Sequence, residues 1–282
     1  MRFFTFTFFG ILFTIQTVFG QQTKINGISF VASRDKVEQK HVQPLIEVNA
    51  NYAAVIPFGF IRSLDTPDIV YNTDRQWFGE TRAGAKQYTQ LLQDNGIKVM
   101  IKPQIWIWRG EYTGYLKMET EEKWKELEKS YRDFILDYAR LAQETNAELF
   151  CIGTELETFI ENRPAFWEQL IDDVKAIYKG KLTYAANWDA YKRVNFWKKL
   201  DYIGVDAYFP ISNEATPTVT LAREGWQQWK QELRDVATTH ERPILFTEFG
   251  YRSRDYSGKE PWTSDRSITT VSYTHLTLPT KA

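Results

Sequence analysis

The sequence has a single cysteine and three histidines among its 282 residues. Cys151 has no partner cysteine, so the chain forms no internal disulfide. It lies in the apolar run LFCIG, where a thiol is expected to pack as a small buried hydrophobic group; a reactive thiol needs a positively charged, partly exposed setting. No cysteine pair or histidine cluster has metal-ligand spacing, so we expect no metal or other cofactor.

The sequence also lacks an excess of charge of either sign. It has 35 lysines and arginines against 36 aspartates and glutamates, and the basic residues form no stripe of the kind that follows a phosphate backbone. Glycine-rich phosphate loops are absent, which removes the usual features of phosphoryl and hydride transfer. These absences argue against nucleic acid as a partner and against nucleotide-dependent chemistry.

The N-terminal segment has the pattern of a secretory signal peptide. Arg2 precedes the apolar stretch FFTFTFFGILFTIQTVF, and Gly20 follows it. Threonines and Gln16 interrupt this stretch, which is shorter than the roughly 20 apolar residues that span a bilayer. We predict a signal peptide over residues 1–20 and a periplasmic or extracellular product with no stable membrane association; the oligomeric state is left open.

Apolar runs alternate with helical patterns along the rest of the chain. The runs are continuous rather than alternating with polar residues, which is typical of parallel strands buried on both faces. Four long helices are predicted, at Gly79–Asn95, Glu119–Glu144, Pro164–Tyr178 and Leu221–Thr238, together with an irregular helical stretch at His41–Asn49 and a short helix before the sixth strand. Seven strands are predicted, at Asn26–Ser33, Asn51–Phe60, Ile97–Trp108, Glu148–Glu155, Lys181–Trp188, Asp201–Pro210 and Arg242–Gly250.

Seven strands that alternate with helices predict an α/β fold over residues 21–270, namely a (β/α)8 TIM barrel that lacks its last unit. The tail VSYTHLTLPT resembles the translation of a sequencing-library adapter, so residues 271–282 are expected to be foreign to the natural protein. A threonine-rich terminal strand is the alternative for this tail.

Two predicted strands end in glutamates. The run LFCIGTE ends at Glu155 and PILFTEFG carries Glu248, on the fourth and seventh strands. The carboxyl ends of barrel strands meet at one rim, so we expect the two carboxyl groups to face each other. Retaining glycosidases use such a pair about 5 to 5.5 Å apart, one as acid and one as nucleophile. The like charges are expected to raise one of the two pKa values.

Five stretches resemble, in order, glycoside hydrolase family 113, which belongs to a clan of retaining (β/α)8 enzymes. The likeness spans Ile25 to Trp262, through IKPQIWIWRGEYTG, FCIGTELE, LTYAANW, FWKKLDYIGVDAYFP and PILFTEFGYRS. The resemblance implies an endo-β-1,4-mannanase with Glu155 as acid/base and Glu248 as nucleophile. Many clan members have asparagine where this chain has Thr154, whereas threonine is usual for the family.

Glu157 is a second candidate for the acid. Glu155 is preferred because it ends its strand directly, and Glu157 is expected to cap or support the following turn. Tyr208 is expected either to hydrogen-bond the nucleophile or to pack on the rim. Asp206 is expected to orient Tyr208, to bind sugar or to make a structural hydrogen bond.

Other rim residues are candidates for substrate binding. Aromatic content is high, with ten Trp, fifteen Tyr and nineteen Phe, and aromatic faces stack on sugars as well as filling cores. The side-chain amides of Asn187 and Gln104 are expected to hydrogen-bond sugar hydroxyl groups. Lys102 is expected either to do the same or to be an ordinary surface residue. For each tryptophan, core packing is the alternative. The candidates are Asn187, Trp188, Lys102, Gln104, Trp106, Trp108 and Trp262.

The leading hypothesis is therefore an exported retaining endo-hydrolase of β-1,4-mannan or glucomannan, with a poly- or oligosaccharide as its partner. A hydrolase of another β-glycan, such as glucan or galactan, has the same carboxylate requirements. A noncatalytic glycan-binding barrel is the alternative from a different class.

Overall fold

The computed structural model describes residues 24–263. The predicted signal peptide and the predicted foreign tail lie outside these residues. Between residues 24 and 263, no helix has both the length and the apolar character needed to cross a membrane.

The described chain alternates strands and helices. Single 3₁₀ turns lie at Phe78–Glu80, Trp108–Gly110, Thr113–Tyr115, Tyr191–Arg193 and Trp197–Lys199. In chain order the other elements are β1 (Gly27–Phe30), α1 (Gln39–Glu47), β2 (Tyr52–Val55), β3 (Phe58–Ile61), α2 (Arg82–Asp94), β4 (Lys98–Ile101), β5 (Gln104–Ile107), α3 (Glu121–Glu144), β6 (Leu149–Thr154), α4 (Glu157–Asn162), α5 (Pro164–Ile177), β7 (Lys181–Asn187), β8 (Ile203–Asp206), α6 (Val219–His240) and β9 (Ile244–Glu248).

Seven strands form one parallel sheet in the order β1-β2-β4-β6-β7-β8-β9. The sheet curves into a nearly closed barrel, and within residues 24–263 its edge strands are β1 and β9. This confirms the predicted (β/α)8 TIM-barrel fold with seven parallel strands. In such a barrel the carboxyl ends of all strands meet at one rim, where active sites lie.

Helix α3 shows how the sequence produces a helix that packs on the outside of the barrel. Thr120 precedes it, and its side chain accepts a hydrogen bond from the Lys123 backbone N–H, so one of the free donors at the helix start is satisfied. The apolar residues recur every three or four positions and lie on one buried face, which packs against β6 and α5. This face contains Trp124, Leu127, Tyr131, Phe134, Ile135, Tyr138 and Leu141.

Two of the predicted strands are each broken in two. The predicted strand Asn51–Phe60 becomes β2 and β3, and Ile97–Trp108 becomes β4 and β5, with β3 and β5 paired in a separate two-stranded sheet. The breaks fall at Pro57 and Pro103. Proline has no backbone N–H and restricts the residue before it, so both strands leave the main ladder at the same level. Lys102 therefore ends the barrel part of its strand.

Aromatic side chains fill much of the core between the barrel and its helices. The ring of Trp167 stacks on Phe196 at 5.8 Å and meets Tyr184 edge to face at 5.6 Å.

Cys151 is free and fully buried in β6, as expected, and burial raises its pKa to about 11. The thiol therefore stays protonated at neutral pH and packs as a small hydrophobic group.

Candidate active site

Both glutamates lie directly after a bulge in their strands. In β6, Cys151 pairs with Thr183 and Thr154 pairs with Ala185, so β6 advances by three residues where β7 advances by two. In β9 the pairing moves from Phe246 to Glu248 while β8 advances by one residue. A β-bulge re-aims the side chains that follow it, and such bulges concentrate next to active sites.

An open cleft of about 1010 Å³ lies at this rim, and both glutamates line it. Its walls mix aromatic, amide and charged side chains, which is the composition that sugar recognition requires. The lining residues include Tyr112, Gly114, Tyr115, Glu155, Glu157, Asn187, Trp188, Asp189, Tyr208, Glu248, Tyr251, Arg252 and Trp262.

The Glu248 carboxylate accepts hydrogen bonds on both oxygens. Its Oε1 lies 2.6 Å from Lys102 Nζ and 2.9 Å from Gln104 Nε2. Its Oε2 accepts from the Tyr208 hydroxyl at 2.8 Å. The prediction that Tyr208 contacts the second glutamate thus matches the observed geometry. Gln104, predicted to hold a sugar hydroxyl, donates one hydrogen bond to Glu248.

Lys102 also binds Asp206, with its Nζ 3.0 Å from Oδ1. The two side chains are 0% and 1% exposed, whereas that of Glu248 is 23% exposed. The Thr247 hydroxyl donates to the same Asp206 oxygen at 2.7 Å. Lys102 is therefore neither a sugar contact nor a surface residue, as either was expected, but is buried behind the cleft. Asp206 makes structural hydrogen bonds there, one of its three expected roles, and the two charges compensate each other.

The two glutamates have pKa values shifted in opposite directions. Burial alone acts to raise the pKa of Glu248, but the Lys102 charge and the hydrogen bonds from Lys102, Tyr208 and Gln104 bring it below its ordinary value. Burial and the charges of Asp206 and Glu248 hold the pKa of Glu155 well above its usual range. Opposite shifts of this kind separate a proton donor from an ionised carboxylate at one pH.

Glu157, the other candidate acid, occupies a different position. It is the first residue of α4, whose N-cap residue is Leu156, so Glu157 does not act as the cap. Its Oε1 accepts a hydrogen bond from the Tyr112 hydroxyl at 2.7 Å. Glu157 therefore supports the cleft segment around Tyr112, and burial raises the pKa of its carboxyl group.

The predicted tryptophans divide into two groups. Trp188 and Trp262 line the cleft, with rings stacked at 5.2 Å and an interplanar angle of 14°. Trp106 lies in β5 with its ring edge-on to Phe58 at 6.5 Å, and Trp108 is 69% exposed at the start of a 3₁₀ turn. Neither of the latter two is among the residues that line the cleft.

Asn187 ends β7 and lines the cleft, as predicted, with its side-chain oxygen accepting from the Trp188 backbone N–H at 2.9 Å. Sequence reasoning missed the part of the cleft lining that Tyr112, Gly114 and Tyr115 form. In the stretch WRGEYTG, which carries part of the resemblance, the sequence assigns a candidate role to Trp108 alone. Arg109 and Gly110 form a turn in this stretch, with φ of 72° and 74°. Gly110, placed shortly before Tyr112 and Tyr115, was the available sequence signal for this turn.

Within residues 24–263, no group of three or more His, Cys, Asp or Glu side chains is placed to hold a metal ion. The Glu248 carboxylate is paired with the Lys102 ammonium group and with amide and hydroxyl donors.

A parallel barrel with two oppositely shifted carboxyl groups in an open rim cleft has the arrangement of a glycoside hydrolase. The family profile of Glycoside Hydrolase Family 113 matches residues 31–272. The chain belongs to this family and is a glycoside hydrolase.

Solved structures give the same fold. The GH113 beta-mannanase AaManA from Alicyclobacillus acidocaldarius, in complex with ManMIm, is 28% identical with a TM-score of 0.76, over 87% of this chain and 77% of that one. Two structures of GH113 beta-1,4-mannanases are each 22% identical, with TM-scores of 0.75 and 0.69. They cover 87% and 82% of this chain, and 78% and 73% of their own. The sequence has no significant match among curated proteins.

Proposed function

We propose that this protein is a retaining endo-hydrolase of β-1,4-mannan or glucomannan, with Glu248 as nucleophile and Glu155 as acid/base. The observation that carries the proposal is the pairing of Glu248 with Lys102, Gln104 and Tyr208, which keeps its carboxylate ionised at the floor of the cleft. Glu155, with its raised pKa, is the neighbouring carboxyl group suited to give a proton.

In the first step, Glu248 attacks the anomeric carbon while Glu155 gives its proton to the oxygen of the departing sugar. The glycosidic C–O bond breaks and a glycosyl-enzyme ester forms on Glu248. In the second step, Glu155, now ionised, takes a proton from water, and that water displaces Glu248 from the anomeric carbon. Both carboxyl groups return to their starting states.

The substrate class is proposed from the family and from the shape of the cleft. The relative from Alicyclobacillus acidocaldarius is described as a beta-mannanase, and the chain shares its fold at 28% identity. The cleft has a volume of about 1010 Å³, which is large enough for several sugar units of a polymer. The stacked rings of Trp188 and Trp262 offer an apolar surface for a sugar along this cleft.

The test measures product release from mannan, glucomannan, β-glucan and galactan by wild type, Glu248→Gln and Glu155→Gln. The proposal predicts internal cleavage of mannan or glucomannan, with β-configured products at first appearance by NMR and loss of turnover in Glu248→Gln. Preference for glucan or galactan would overturn the substrate assignment. Sugar binding without new reducing ends would identify a noncatalytic binding barrel, and α-configured first products would overturn the retaining mechanism.

Export is a separate proposal, which rests on the apolar stretch of residues 3–19 after Arg2. N-terminal sequencing of the protein recovered from an expressing bacterial host tests it. A new N-terminus near Gln21 outside the cytoplasm is expected, whereas uncleaved protein in the cytoplasm would contradict export.

A further inference from the structure

Glu155 has a left-handed backbone, with φ of 49°. Residues other than glycine rarely adopt this region because the Cβ atom crowds the backbone carbonyl. The strain falls on the residue that the proposed function uses as acid/base. Such conformations persist only where surrounding contacts hold them, and they concentrate at functional sites.

Three hydrogen bonds hold this backbone. The N–H of Glu155 donates to the Ala185 carbonyl oxygen in β7 at 2.8 Å. The carbonyl oxygen of Glu155 accepts from the Thr113 hydroxyl at 3.0 Å. The N–H of Leu156 donates to the Tyr184 hydroxyl at 2.6 Å.

The last two bonds hold opposite ends of one peptide unit, the one that joins Glu155 to Leu156. The Ala185 bond holds the peptide unit on the other side of the Glu155 Cα atom. The backbone torsions of Glu155 are therefore fixed from both sides. A change of φ toward the right-handed region would rotate the Cα–Cβ bond about the N–Cα axis and turn the carboxyl group away from its present direction.

The two side chains that complete this arrangement come from different surroundings. Tyr184 is 1% exposed, and its ring is fixed by Trp167 and Phe196 in the core. Thr113 lies in the cleft wall between Tyr112 and Gly114, which are both lining residues. That wall is bound again by the Thr158 hydroxyl, which donates to the Gly114 carbonyl oxygen at 2.5 Å.

We propose that Thr113 and Tyr184 are positioning residues for the acid/base: they hold the peptide after Glu155 so that the left-handed backbone aims its carboxyl group into the cleft. The inference rests on the proposed function of Glu155. Neither side chain needs to touch the substrate, because each acts on a backbone atom of the 155–156 peptide.

The experiment compares Thr113→Val, Thr113→Ser and Tyr184→Phe on aryl β-mannobiosides with leaving groups of graded pKa. Valine keeps the shape of threonine but removes the hydroxyl donor, while serine keeps the donor. We expect Thr113→Val to lower kcat/KM, which reports formation of the glycosyl-enzyme, about tenfold for poor leaving groups, a change that corresponds to one lost hydrogen bond. For leaving groups that depart without protonation, kcat/KM should fall less than about twofold, because formation of the glycosyl-enzyme from them does not need the acid.

Thr113→Ser should restore the wild-type dependence on the leaving group, and Tyr184→Phe should reproduce the valine effect. Thr145→Val is the matched control, because its buried hydroxyl also donates to a carbonyl oxygen, that of Leu141, in α3. It should change thermal stability without altering the leaving-group dependence. If Thr113→Val and Tyr184→Phe lower kcat/KM equally for all leaving groups, or leave it unchanged, the inference is overturned. An inactive wild type would instead overturn the proposed function.

Discussion

Lys102 Nζ lies 2.6 Å from Glu248 Oε1, and the lysine side chain is completely buried. Burial acts against the charge of Lys102, but the carboxylates of Asp206 and Glu248 outweigh it and raise the pKa of Lys102. A fixed cation thus lies behind the carboxylate that faces the cleft. The charge state proposed for the nucleophile depends on this contact more than on any solvent-exposed group.

Replacing Lys102 with methionine should raise the pKa of Glu248 and lower kcat by on the order of 100-fold, since one hydrogen bond to a charged group contributes roughly 1.5–3 kcal/mol. The acid limb of the pH–rate profile should move to higher pH. Lys129→Met, in an exposed pair with Asp133, is the control and should leave the profile unchanged. An unaltered acid limb in Lys102→Met would contradict the role of the lysine.

The same substitution should destabilise the fold. Removing one partner of a buried ion pair costs roughly 3–5 kcal/mol because it leaves an uncompensated charge, here Asp206. The double variant Lys102→Met/Asp206→Asn should recover much of the lost melting temperature without recovering activity. Recovery of both would show that the catalytic loss came from misfolding.

Tyr208→Phe should raise the pKa of Glu248 by removing the donor to Oε2. We expect a fall in kcat of about tenfold or more with a smaller change in KM, because the tyrosine acts on the nucleophile. Steady-state kinetics on mannan give both constants. A rise in KM with unchanged kcat would instead assign Tyr208 to substrate binding alone.

The pH dependence should be bell-shaped. Glu248, with its lowered pKa, must be ionised to attack, so the rate is lost as pH falls through that pKa. Glu155, with its raised pKa, must be protonated to assist departure, so the rate is lost as pH rises through that pKa. For a leaving group that needs protonation, Glu155→Gln should remove the alkaline limb of the kcat/KM profile and lower its plateau. An alkaline limb that persists in this variant would assign the acid to another group.

Trp262→Ala should weaken polymer binding. The side chain is 48% exposed and stacks on Trp188 in the cleft. We expect KM for mannan to rise several-fold, since stacked aromatic groups contribute about 0.5–1.5 kcal/mol beyond area burial. Trp77→Ala is the matched control, because Trp77 is 44% exposed and is not a lining residue of the cleft. Equal effects of the two variants would remove Trp262 from substrate binding.

The strand pattern predicted the barrel because continuous apolar runs are a local property of sequence. The breaks at Pro57 and Pro103 were missed because apolar residues resume within two positions after each proline. Helix α4 was missed because its six residues are too few for a periodic pattern.

The site was predictable where residues end strands, as Glu155 and Glu248 do. The contact between Lys102 and Glu248 joins positions 146 residues apart, and no local pattern reports that a lysine before a proline points into the barrel. The left-handed backbone of Glu155 depends on Thr113, Tyr184 and Ala185, which meet only in the folded chain.

Trapping the covalent intermediate tests the central claim most directly. The protein is incubated with an activated 2-deoxy-2-fluoro-mannoside, digested, and mapped by tandem mass spectrometry. The account predicts one fluoroglycosyl ester, located on Glu248 and absent from Glu248→Gln. A label on Glu155, Glu157 or Asp206, or mannan cleavage with inversion and no label, would contradict it.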